Sequence, residues 1–181
     1  MKAYALGALA ALTLLAPANA SATVFHIGDA NFFITSGTPF TPSITAAFYD
    51  AFDASTTFDD SFQFTIPQDG TGSGSISTSF SNATTNKLTI SDLIINGVSY
   101  AALLHVDASG ESASIGGIPI VNGMLNTIEV KGMTNGSGTY DGTMTFTAAA
   151  VPETSIWAMM IVGFGLVGMS FRRRATRVAF A

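Results

Sequence analysis

Four aspartates, Asp50, Asp53, Asp59 and Asp60, fall close together among serines and threonines. Hard cations such as Ca²⁺ are held by several oxygens at once, so Asp53, Asp59 and Asp60 are the residues to weigh as calcium ligands. No EF-hand loop and no calcium-binding repeat surrounds them, and acidic loops are more often simply solvated. Paired carboxyl groups facing each other across a cleft are also what glycoside hydrolysis requires. Here Asp59 or Asp60 with Glu111 or Glu129 would supply the pair, but no further signature accompanies them. The two histidines, His26 and His105, lie far apart and outside any H-E-x-x-H spacing. No G-x-S-x-G elbow occurs, and the glycine-rich stretch at 70–75 lacks the lysine of a phosphate-binding loop. The chain has no cysteine, hence no thiolate ligand, no sulfur nucleophile and no disulfide framework. The expectation is a protein that is not an enzyme and needs no cofactor.

Asp60 has the most demanding position. In "FDDSFQFTIP" a period of two puts Phe58, Asp60, Phe62, Phe64 and Ile66 on one face of a strand. A buried, unpaired carboxylate there would cost several kcal/mol, so backbone amides, a cation or solvent at a sheet edge must satisfy it.

The elements that must position these residues are β throughout. "TYDGTMTFTA" alternates over 139–148, and its unbroken period argues for one continuous strand with Gly142 at a close approach rather than a turn. "NTIEVK" over 126–131 reads as its partner, joined to it by "MTNGSG". Asn96-Gly97 signals a hairpin between "NKLTISDLII" and "VSYAALLHV", while "TVFHIG" and "ANFFIT" read as early strands. "QDGTGSGSIS" reads as a flexible Gly/Ser loop entering a further strand through Phe80. Short strands at roughly ten-residue spacing predict an all-β domain over 21–150, an antiparallel β-sandwich of jelly-roll type.

That domain carries eleven acids against two lysines, Lys87 and Lys131. The whole-chain net charge of −5 conceals this, because the other bases lie in the terminal segments. So acidic a surface is a poor partner for nucleic acid or anionic headgroups.

Both ends are apolar. Met1-Lys2, the apolar run 3–16 and Ala18-Asn19-Ala20 form a signal peptide with an A-x-A site; cleavage after Ala20 by the export route of the Sec machinery would leave Ser21 first. Near the other end, 156–171 is uncharged, with Trp157 at one edge and Arg172, Arg173 and Arg174 at the other. A transmembrane helix is expected there, with the arginines on the cytoplasmic side and 175–181 as a cytoplasmic tail. Its sixteen residues would rise only about 24 Å against a hydrocarbon core of about 30 Å.

The stretch 151–174 resembles the PEP-CTERM sorting signal in its alphaproteobacterial variant. The matching residues are Pro152-Glu153, Trp157-Ala158-Met159-Met160, Gly163-Phe164-Gly165, Gly168 and the Arg172–Arg174 cluster, with Thr154 where the usual motif has a second proline. Phe58-x-Asp60-x-Phe62 is similar to the signature of the FxDxF group of PEP-CTERM proteins. The resemblance implies recognition by a membrane-embedded exosortase and cleavage near Pro-Glu. It further implies an inner-membrane precursor passed to the cell surface or beyond, and a link to exopolysaccharide and biofilm matrix. The alternative is a secreted jelly-roll carbohydrate-binding module or glycosidase. Against it stands the absence of tryptophan from 21–150.

Overall fold

The computed structural model describes residues 21–80, 85–150 and 154–174. The expected signal peptide with Ala18 and Ala20, the Pro152-Glu153 pair and the tail 175–181 lie outside the described residues. The chain divides into two compact units at Ala148/Ala149.

The first unit is a two-sheet sandwich. In chain order its strands are Ser21–His26 (β1), Phe32–Ser36 (β2), Ser43–Phe52 (β3), Thr56–Thr65 (β4), Gly70–Phe80 (β5), Leu88–Ile95 (β6) and Val98–Ser99 (β7). After a 3₁₀ turn at Ala101–Leu103 come His105–Val106 (β8), Glu111–Ile120 (β9), Leu125–Thr134 (β10) and Gly138–Ala148 (β11). One sheet runs β1-β4-β10-β6-β7 and the other β2-β3-β11-β5-β9-β8. The core lies between them, built from inward positions such as Phe32, Phe48, Phe62, Leu88, Ile118, Val130 and Tyr140. Each large apolar side chain fully buried there contributes about 1.5–3 kcal/mol.

The period-two reading of β11 holds over its full length, and a side chain at Gly142 would run into the ring of Phe48. Asn96 and Gly97 turn β6 into β7 with φ of 50° and 80°, the left-handed pair a tight hairpin requires.

Four expectations need correction. The sandwich is not wholly antiparallel: β1 lies parallel to β4. The pair 126–131 and 139–148 is not a hairpin either. β10 ladders with β4 and β6, whereas β11 ladders with β3 and β5 in the other sheet. The turn at 135–137 therefore arches across the sandwich, which satisfies both inward apolar faces at once. "VSYAALLHV" is not one strand, because only Val98 and Ser99 pair back on β6 before the chain crosses to the other sheet. Finally, the supposed Gly/Ser loop is β5, a central strand between β11 and β9. Its serines point outward and Gly70, Gly72 and Gly74 inward. At Gly70 and Gly74 a Cβ would collide with the backbone oxygens of Thr147 and Thr143, so glycine lets the strands close.

The second unit contains one helix, Thr154–Arg174 (α1), longer at both ends than the 156–171 expected. Among the described residues no helix is long and apolar enough to cross a membrane, which corrects the transmembrane expectation. The apolar run is too short for the hydrocarbon core, and Gly163, Gly165, Gly168 and Ser170 dilute it.

Candidate functional site

Asp60 is 1% exposed and faces inward from β4 between Phe58 and Phe62, as its period requires. Its partner comes from the opposite sheet: Tyr140 Oη on β11 donates to Asp60 Oδ2 at 2.6 Å. Thr23, beside Asp60 in the β1–β4 ladder, adds a second hydrogen bond. Burial pushes the Asp60 carboxyl from 3.8 up to about 6; the bond from Tyr140 opposes that shift, and the nearby charge of Asp50 adds to it. The Tyr140 phenol is pushed well above its ordinary value by burial first, then by Asp60.

Asp50 reveals a symmetry the sequence reading missed. Phe48-x-Asp50-x-Phe52 on β3 repeats the pattern of Phe58-x-Asp60-x-Phe62 on β4. The two strands, joined by the turn at 53–55, face each other across the interior. Phe48 meets Phe62 with ring centroids 4.9 Å apart, and Phe52 stacks on Phe58 at 4.7 Å. Asp50 thus lies opposite Asp60, while Asn31 Nδ2 and the Ala51 amide donate to its Oδ1 at 3.2 and 2.8 Å. Two copies of F-x-D-x-F separated by a short polar turn were visible in the sequence as a signal for this cluster. Its chemistry is structural: a carboxyl–phenol link between the sheets, packed in phenylalanine.

The other candidate carboxylates are not brought together. Asp59 points outward from β4, away from Asp60, and meets Lys131 at 3.3 Å; the same ammonium is 3.5 Å from Glu129. Asp53 sits exposed in the β3–β4 turn. Among the described residues no group of three or more His, Cys, Asp or Glu could hold a metal ion. Glu111 is buried, accepting the Ile90 amide at 2.7 Å where the β6–β10 register shifts. The carboxylates weighed for glycoside hydrolysis are therefore divided between the outer face of one sheet and the interior.

A different surface has the character of a contact site. The outward positions of β5, of the first half of β9 and of β11 are mostly hydroxyl: Ser73, Ser75, Ser77, Ser112, Ser114, Thr143, Thr145 and Thr147 among them, with Asp141 on β11 and Gly116, Gly117 and Pro119 on β9 the exceptions. Ser75 and Thr143 lie 3.3 Å apart across the ladder, and Ser77 Oγ donates to Asp141 Oδ1 at 3.4 Å. A shallow depression of about 510 Å³ runs along this face, bounded by Leu103, His105 and Asp141. His105 is exposed in the edge strand β8. Such a face offers many donors and acceptors and no positioned nucleophile.

In α1, every described side chain from Ile156 to Arg172 is exposed, Trp157 and Arg172 included. Around Gly163 and Gly165 an added Cβ would meet nothing within 4 Å. A helix apolar on all sides is expected in a membrane or in the core of a large protein, not in water.

Compared with protein-family models, curated proteins and solved structures, the chain matches none.

Proposed function

We propose that this chain is a non-enzymatic exported surface or matrix protein. A jelly-roll-like β-sandwich is delivered by a signal peptide and held at the inner membrane by its apolar C-terminal helix. An exosortase then releases it, and it contributes to an exopolysaccharide or biofilm matrix. The observation that carries this reading is α1: a helix apolar around its whole circumference, exposed at every described side chain from Ile156 to Arg172, with Arg172 to Arg174 at one end. Its short apolar length suits a transient hold rather than a permanent one. The repeated crossing of the chain between sheets supports the jelly-roll kinship. The hydroxyl face of β5, β9 and β11 offers a polysaccharide many weak hydrogen bonds in parallel without a reaction centre.

The reading is tested with two epitope tags, one in the exposed 53–55 turn and one after Ala181. In wild-type cells the first tag is expected at the surface or in the medium, on a chain that has lost the second. Changing Pro152 and Glu153 to alanine should leave the full-length form in the inner membrane. Both tags on one full-length, membrane-bound chain in wild-type cells would show a plain anchor.

A further inference from the structure

The two ends of the sandwich are closed by loops of opposite chemistry. At one end the described turns are Asp53-Ala54-Ser55, Asp107–Gly110 and Asn135-Gly136-Ser137. There the carboxylate of Asp107 accepts from the Ser109 hydroxyl and from the amides of Ser109 and Gly110, which hold its carboxyl below the usual range. At the other end lie the loops 37–42, 66–69 and 121–124, which carry prolines and large apolar residues. The registers Thr147 to Ser43, Ala148 to Gly70, Gly70 to Ile120 and Leu125 to Thr65 bring these loops to a common end.

Apolar side chains stand out from that end. Phe40 is 75% exposed, Met124 60% and Leu125 59%. Phe40 also has φ of 76°, a backbone state that is a true outlier for a bulky side chain. The fold therefore spends strain holding an aromatic ring in solvent, and such strain clusters at sites of function. The single charge in these loops, Asp69, is turned back to accept the Asn122 amide at 2.8 Å. Behind the loops lies an apolar cavity of about 180 Å³, lined by Ile34, Pro39, Ile44, Pro67 and Phe146.

The course of the chain indicates what covers this end. β11 finishes here at Ala148, and α1 begins at Thr154. The backbone from Ala148 to Thr154 reaches at most about 20–22 Å when fully extended. Any bilayer that receives the apolar helix is therefore within short reach of Ala148.

We propose that this end of the sandwich is a lipid-facing surface, with Phe40, Met124 and Leu125 entering the headgroup–acyl boundary of the bilayer that holds the helix. The proposal rests on the reading of α1 as membrane-seated. Apolar side chains at that boundary bury about 5–10 Å deep, and Asp69, the one charge in these three loops, is held by the Asn122 amide. The opposite end, with Asp53 and Asp107 exposed, would stand away in water.

Because the chain has no cysteine, single labels can be placed at will. Phe40→Cys, Met124→Cys, Ala54→Cys and Met160→Cys would each be made in the full chain. Each would be labelled with an environment-sensitive fluorophore and reconstituted in phosphatidylcholine vesicles containing lipids spin-labelled at shallow and deep acyl positions. All four positions are exposed, so the substitutions disturb no core packing. The expected result is lipid quenching at Met160→Cys and at least twofold quenching by shallow lipid at Phe40→Cys and Met124→Cys, with none at Ala54→Cys. Quenching at Met160→Cys without quenching at Phe40→Cys and Met124→Cys would overturn the lipid-facing end while leaving the seated helix intact. Equal quenching at Ala54→Cys would overturn it too, by showing no preference between ends. No quenching at Met160→Cys would overturn the seated helix itself, and the proposal with it.

Discussion

Between β3 and β4 the interior is filled with aromatic rings around a carboxyl group. Phe62 alone touches Phe25, Phe32, Phe48 and Tyr140, with centroids 4.9 to 6.3 Å away. A few strands across, beneath β5, the interior is aliphatic and incomplete. Gly72 and Gly74 present no side chain, and a cavity of about 60 Å³ remains among Leu93, Ile115, Ile118, Ile128 and their neighbours. The difference lies in what each half must hold. The dense half fixes a buried polar link whose geometry tolerates little slack, so broad rings lock it on both sides. The loose half must let β5 approach β11 closely, which demands glycine and leaves space that aliphatic side chains do not fill.

The contrast is broken most severely at Phe62. Phe62→Ala should lower unfolding stability by about 3–5 kcal/mol, because a fully buried ring is lost and its neighbours are held by other rings; urea denaturation of the purified protein measures it. The polar link is next. The folded carboxyl of Asp60 titrates near 6, above an ordinary unfolded value of about 3.9. Protonated Asp60 is therefore the form the fold favours. Its contribution should be complete below about pH 4 and decline as pH rises through 6, by about 3 kcal/mol. Asp60→Asn should flatten that part of the stability–pH curve, and a variant keeping the full pH slope would locate the titration elsewhere. In the loose half the sign reverses. An alanine Cβ at Gly72 would meet only Ile120 and Ile118, no nearer than 3.5 Å, so Gly72→Ala should stabilise by about 0.5 kcal/mol through the unfolded chain. At Gly74 the Cβ would lie 2.6 Å from the Thr143 carbonyl oxygen, and Gly74→Ala should destabilise. Thermal melts of the two variants side by side would check both signs.

Side-chain faces were legible in the sequence; pairing partners were not. The alternation through 58–66 placed Asp60 with three phenylalanines and required a partner for it, which the structure supplies as Tyr140. The same alternation could not say that β10 and β11 belong to different sheets. A short polar turn between two one-sided strands fits an arch as well as a hairpin. β5 was misread because glycine carries no hydropathy: with glycine inward and serine outward, a period of two leaves no apolar trace. The hydroxyl face was hidden for the same reason, since outward serines look like loop composition until the strands are laid side by side. Nothing in "TVFHIG" indicated a parallel partner, because the residues between β1 and β4 form strands of the opposite sheet.

The parallel pairing of β1 with β4 also dictates an order of assembly. No turn can join parallel neighbours, so β1 waits until β2 and β3 have crossed into the opposite sheet and β4 has been laid down. The first described strand to be synthesised is thus held back by topology, and closing so long an excursion is slow compared with forming the β6–β7 hairpin. During that interval β4 presents an open edge of unpaired amides and carbonyls, the kind of edge that recruits other chains. When β1 arrives, Phe25 stacks on Phe62 at 4.9 Å and β4 becomes an inner strand, with β1 now the edge of the sheet. The first described strand is thus a late addition, and it exchanges an open edge of 10 residues for one of 6.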